Sequence, residues 1–164
     1  MADLQTFLQQ YEADYPDRVW RIQEEVPANY FSTAATLEAE RLPEPPVLIL
    51  ERVAGVEMPV VSGLFSSRSR IAYAIGTTAD KLHRYWAEVS DKLLPPVLVA
   101  EGPSQEICHL YDEANAETLP LMQHFEQDAG RYVTSGVVVA QDPDVERGNL
   151  SFARMQLKGP RRFG

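Results

Sequence analysis

The chain has 164 residues, room for one domain or for one domain and part of a second. Hydrophobic residues make up 45% and charged residues 24%, the balance of a globular chain with enough apolar material for a core. A formal charge of −9 disfavours nucleic acid as a partner, no apolar run approaches membrane-spanning length, and a single cysteine, Cys108, excludes an internal disulfide. The first residues lack the basic start and apolar stretch of a secretory signal, which with the lone cysteine points to the cytoplasm. Lys158, Arg161 and Arg162 form the only dense basic cluster and read as solvated charge at a strand end.

Asp3 is placed to cap a first helix, in which Leu4, Phe7, Leu8 and Tyr11 recur at helical spacing. Pro16-Asp17 ends it, and Arg18–Ile22 reads as a short strand. A second helix is expected over Thr33–Leu42 and is stopped by the cluster Pro43-Glu-Pro-Pro46. Val47–Val53 is a strong strand. A turn over Ala54–Glu57 leads to another, Pro59–Leu64. Ser66–Ile75 reads as a helix with Gly76 as its stop. Asp80 is placed to cap the next, where Leu82, Tyr85, Trp86, Val89 and Leu93 repeat at three and four before Pro95-Pro96. Val97–Ala100 and Glu106–Leu110 are short strand candidates, and Leu119-Pro-Leu-Met122 is an edge strand or connector.

A hairpin follows. Tyr132–Ala140 is rich in Val and Thr, Asp142-Pro143-Asp144 has turn chemistry, and a second strand runs over Leu150–Lys158. Alternation puts Ser151, Ala153, Met155 and Leu157 on one face and Leu150, Phe152, Arg154, Gln156 and Lys158 on the other. Helices and strands mixed first, then β pairing alone, indicate an α+β fold leading into an all-β segment. Two strands are marginal by themselves, so the hairpin is expected to need further strands.

Most of the chain carries no recognisable chemistry. His83, His109 and His124 share no ligand spacing, and Cys108 and His109, adjacent on an expected strand, would point to opposite faces. Ser66 and Ser67 precede a helix without a nucleophile elbow, and no dinucleotide fingerprint or phosphate loop is present. The hairpin is the exception. Asn149 at the turn exit can reach a ligand or metal, Ser151 can bond a phosphate or a flavin edge, and Arg154 suits a carboxylate held by two parallel hydrogen bonds. On the residues alone this is an anion site on a β-scaffold.

Asp3-Leu-Gln-Thr-Phe-Leu8, Arg21-Ile-Gln-Glu-Glu-Val26, Pro46–Val53, Ala54-Gly-Val-Glu-Met-Pro-Val-Val61, Leu64-Phe-Ser-Ser-Arg-Ser-Arg-Ile-Ala72, Asp128-Ala-Gly-Arg-Tyr-Val-Thr134 and Asn149–Arg154 occur in an order and spacing that resemble the N-terminal portion of the UbiD family of decarboxylases. The resemblance implies an α/β domain over residues 1–125, and over 126–164 the start of a split β-barrel that holds prenylated FMN. It implies reversible, non-oxidative decarboxylation of aromatic or α,β-unsaturated carboxylic acids, with Mn2+ and K+ near the flavin phosphate and the modified flavin as electron sink. By the same resemblance Asn149 is a metal ligand, Thr134, Ser151, Phe152, Ala153 and Arg154 contact the cofactor, and Arg154 is the catalytic arginine that orients the substrate carboxylate. A flavin prenyltransferase would supply the cofactor, and the full-length form would be a homo-oligomer. The family's acid–base glutamates and its remaining metal ligands lie beyond the arginine and have no counterpart in this sequence, so the chain is expected to need a second half for activity. Two other readings stay open. One is a non-catalytic α/β assembly subunit pairing through the strands of Tyr132–Lys158. The other is a flavin-reductase-like module using ordinary FMN.

Overall fold

The computed structural model describes residues 3–92, 94, 95, 97–144 and 148–164. Leu93 and Pro96, expected at the end of the fourth helix, lie outside the described residues, as do residues 145–147 of the hairpin turn. Four α-helices and six strands are seen among the described residues: α1 (Leu4–Asp14), β1 (Val19–Val26), α2 (Phe31–Ala39), β2 (Val47–Val53), β3 (Val60–Ser62), α3 (Arg68–Ala74), α4 (Leu82–Ser90), β4 (Tyr132–Gln141), β5 (Gly148–Gly159) and β6 (Arg162–Phe163). They form an α+β fold with two sheets, ordered β1-β2-β3 and β4-β5-β6. No helix among them is long and apolar enough to cross a membrane.

Contacts divide the chain into two units, both discontinuous in sequence. The first comprises Met1–Arg21, Thr36–Ile49 and Val61–Cys108, and the second Ile22–Ala35, Leu50–Val60 and His109–Gly164. In the first, Asp3 caps α1 by accepting from the Thr6 N–H at 2.8 Å, which satisfies a helix-end donor that would otherwise lack a partner. Helical spacing then brings Phe7 and Tyr11 together, their rings stacked 5.6 Å apart, over Val19, Val47 and Ile49. The centre of this unit holds a charge. Arg70 is buried, and its guanidinium donates to the carbonyls of Leu64 (2.7 Å), Pro45 (2.8 Å) and Gly63, with Tyr11 beneath it. Three carbonyls and a ring thus take the place of water around it. Gly63, at φ 69°, is required by the same packing, because a Cβ there would lie 3.2 Å from the Pro46 carbonyl. At the head of α3, Ser67 caps the Arg70 N–H, while the hydroxyls of Ser69 and Ser67 donate to Glu44 and hold its carboxyl below the usual glutamate range.

In the second unit Val26, Leu50, Val53 and Met122 form the core, with Ile22, Phe31 and Val60 against it. Segment 122–124 is tied in by its backbone. The Gln123 carbonyl accepts from the Tyr30 N–H at 2.8 Å, and the Met122 carbonyl from the Tyr132 N–H at 3.2 Å. His124 sits 2.9 Å from the Thr33 hydroxyl, a structural role for that imidazole.

Three expectations fail. Val97–Ala100 and Glu106–Leu110 are not strands; only the 3₁₀ turn Pro103–Gln105 interrupts an irregular stretch there. Their β-branched residues meet no neighbouring strand among the described residues, and an extended segment needs one to satisfy its backbone. Cys108 and His109 are therefore exposed loop residues rather than opposite faces of a strand. Asp80 does not cap α4: the cap position is Lys81, and the Asp80 carboxylate is instead bonded by the Thr78 hydroxyl, which lowers its pKa.

Candidate functional site

β4 and β5 pair antiparallel, and Asp142 shapes the turn between them by accepting from the Asp144 N–H at 2.8 Å. Val137 lies opposite Phe152, Val138 opposite Ser151, Val139 opposite Leu150 and Ala140 opposite Asn149. The register shifts between Val133 and Gly136, so that two residues, Thr134 and Ser135, stand opposite the single residue Arg154. This is a β-bulge, a device that bends a strand and re-aims its side chains. Gly136 stands beside it in a tight spot. A Cβ at that position would come 2.8 Å from Met155 Cε and 3.2 Å from the Ala153 carbonyl.

Pairing of opposite residues fixes the faces. Asn149, Ser151 and Ala153 share one with Ala140, Val138 and Gly136. Phe152 and Arg154 share the other with Val137, Val139 and Leu150. The expected site residues are thus brought onto one short hairpin but are divided between its two faces. All are exposed except Ala153, which is half-buried. The Phe152 face is markedly apolar for an exposed surface: Phe152 is 81% accessible and Val139 77%.

Arg154 is held by two neighbours on its own side of the hairpin. Its guanidinium carbon lies 4.8 Å from the centre of the Tyr132 ring, and Nη2 is 3.5 Å from Asp128 Oδ1. The other oxygen of Asp128 accepts from the backbone N–H groups of Phe125 (2.9 Å) and His124 (3.2 Å). The side chain of Gln156 donates to the Ala129 carbonyl at 2.7 Å. Asp128 and Tyr132 had been visible only as members of a motif. Nothing in sequence spacing joins Asp128 to an arginine 26 positions later; the strand pairing does.

Sequence models of two domains match the chain in order. The 3-octaprenyl-4-hydroxybenzoate carboxy-lyase N-terminal domain matches residues 14–90, and the Rift-related domain of the same carboxy-lyase matches residues 97–164. The chain belongs to the UbiD family. Among UbiD relatives, the anhydromevalonate phosphate decarboxylase of Methanothermobacter thermautotrophicus is 27% identical over 117 residues, 71% of this chain and 27% of that protein. The UbiD-class enzyme HmfF from Pelotomaculum thermopropionicum, solved with FMN, is 28% identical with a TM-score of 0.86, over 98% of this chain and 35% of that one. An evolved dimeric form of HmfF with prFMN gives 29% and 0.89, over 100% and 38%. The vanillic acid decarboxylase of Sedimentibacter hydroxybenzoicus gives 26% and 0.84, over 100% and 36%. The match to this UbiD chain therefore covers only 27% to 38% of the length of those enzymes.

The hairpin lies wholly within the region matched by the UbiD Rift-related domain. Each face offers chemistry that fits contact with a flavin: a hydroxyl at Ser151 beside the small side chain of Ala153 on one, an exposed aromatic ring at Phe152 on the other, and the Thr134 hydroxyl at the bulge. For a divalent cation it is incomplete. No cluster of three His, Cys, Asp or Glu exists among the described residues, and Asn149 offers one neutral oxygen where Mn2+ prefers about six oxygen ligands.

Proposed function

We propose that this chain provides the N-terminal part of a UbiD-type carboxy-lyase acting reversibly and without oxidation on aromatic or α,β-unsaturated carboxylic acids in the cytoplasm. Residues 1–125 are its α/β domain, and residues 126–164 open the split barrel that holds prenylated FMN, a cofactor delivered by a flavin prenyltransferase. Further barrel segments outside residues 1–164 complete the site, within a homo-oligomer. The observation that carries the reading is Arg154: a cation fixed on an exposed apolar β-face, within the Rift-related match.

Arg154 binds the substrate carboxylate through two parallel N–H donors and sets the direction of the bond to be broken. Val137, Val139, Leu150 and Phe152 keep water from that carboxylate, which favours its loss as uncharged CO2. Ser151 and Ala153 from one face of the hairpin, Phe152 from the other and Thr134 at the bulge contact the flavin, and Asn149 gives one ligand to a Mn2+ and K+ site whose other ligands come from the completing segments. Bound prenylated FMN supplies the electron sink. The test is reconstitution of the chain with prenylated FMN, Mn2+, K+ and a polypeptide bearing the completing segments. Arg154→Ala should lower decarboxylation by at least about a hundredfold, the scale of losing one preorganised electrostatic contact, while flavin stays bound. Activity within a few-fold of the unsubstituted protein would remove Arg154 from this role.

The exposed apolar face also supports a second reading, a non-catalytic subunit that pairs with another chain through β4 and β5. A monomer at high concentration, with no strand exchange, would count against it.

A further inference from the structure

We infer that Asp128 and Tyr132 are positioning residues for Arg154, which they hold on one edge and one face so that the rest of its guanidinium meets the substrate carboxylate. This rests on the proposal that Arg154 grips that carboxylate, and it adds the residues that aim it.

An arginine side chain has several rotatable bonds and loses up to about 2 kcal/mol of conformational entropy when it is ordered. Unless that ordering happens beforehand, substrate binding must supply it. Arg154 is ordered beforehand. Tyr132 pairs with Gln156, so Arg154 is its diagonal neighbour on the same face, and the ring lies flat enough beneath the guanidinium for a cation–π contact at 4.8 Å. Asp128 closes one edge at 3.5 Å, an ion pair without hydrogen-bond geometry. The remainder stays open, since 62% of the Arg154 side chain is accessible.

Asp128 can serve as a fixed point because it is itself held. Only 14% of its side chain is accessible, and its Oδ2 is committed to the His124 and Phe125 N–H groups. The Gln123 amide clamps the same turn by donating to the Phe125 carbonyl at 3.3 Å and the Asp128 carbonyl at 3.1 Å. The turn is joined to β5 through Gln156 and the Ala129 carbonyl. One carboxylate oxygen therefore builds the turn while the other faces the guanidinium. The bulge at Thr134 and Ser135 lies directly across from Arg154, so the local bend of β4 is part of the same arrangement.

The division of labour at Asp128 suggests a clean substitution. In Asp128→Asn the amide oxygen can still accept from the two backbone N–H groups, but the charge facing Arg154 is gone. The readout is nuclear magnetic resonance of the 164-residue chain carrying nitrogen-labelled arginine, with the Arg154 signal assigned by its loss in Arg154→Lys. Rotation of the guanidinium about Nε–Cζ, seen as exchange between its two Nη groups, should quicken about fivefold in Asp128→Asn, the factor expected for losing a partly exposed ion pair. Tyr132→Leu should quicken it as well, whereas Tyr132→Phe, which keeps a ring, should not. The His124 and Phe125 amide signals report whether the turn is intact. If Asp128→Asn disrupts them, Tyr132→Leu, which leaves Asp128 untouched, decides the matter from the same signal. An Arg154 exchange rate unchanged by Asp128→Asn with the turn intact, or unchanged by Tyr132→Leu, overturns the inference. In the reconstituted enzyme Asp128→Asn should raise KM more than it lowers kcat. Full activity of Arg154→Ala there would refute the carboxylate grip, while the exchange rate would still decide whether Asp128 and Tyr132 hold the side chain.

Discussion

Tyr73 shows how a single contact shapes a residue's chemistry. Its hydroxyl donates to Asp14 at 2.6 Å, and that bond pushes its pKa up to about 12, above the usual tyrosine value. A phenol whose pKa is higher in the folded state adds stability that is fully present below the unfolded value. That contribution fades as pH rises through the folded one. In an alkaline titration followed by tyrosinate absorbance, a step should therefore appear near pH 12, and Tyr73→Phe should abolish it. A step near pH 12 that persists in Tyr73→Phe would contradict the assignment. Such contacts were beyond reach of the sequence. Asp14 and Tyr73 are far apart in the chain, as are Asp128 and Arg154, and no period links either pair. Helical caps are local, and there spacing served better. Asp3 does cap α1, whereas Asp80 is diverted to Thr78.

Among the elements, the hairpin was the most legible because a period of two determines faces directly: β4 and β5 extend the expected strands by a residue or two at their ends. The bulge within it was not. Val133-Thr134-Ser135-Gly136 continues a β-rich pattern without interruption, and only the pairing reveals that one residue is supernumerary. Gly136 borders the bulge, and a Cβ there would crowd Met155 and the Ala153 carbonyl. Gly136→Val should destabilise the protein by about 1–3 kcal/mol through overpacking, measured by denaturant unfolding. An unchanged midpoint would show that Met155 and the Ala153 carbonyl give way to the added side chain. Val97–Ala100 and Glu106–Leu110 failed as strands for the complementary reason. Propensity favours an extended chain, but a strand exists only beside another, and none is present for them among the described residues.

At the scale of the molecule, the sequence pointed to an α+β fold ending in β structure, and two sheets of that kind are found. The family likeness read from ordered motifs agrees with the domain matches and with the UbiD-class structures. The site is harder to read at this scale. Its expected residues gather on one hairpin whose faces are mostly exposed, and more than half of each matched enzyme's length lies beyond this chain. An apolar, arginine-bearing face of this kind is explained if further strands and a flavin cover it. The most direct test of that claim is flavin retention. The chain, mixed with prenylated FMN and a polypeptide bearing the completing barrel segments, is passed through gel filtration and its flavin absorbance recorded. The account predicts flavin co-eluting with the complex in stoichiometric amount. A folded, assembled complex that emerges colourless would contradict it.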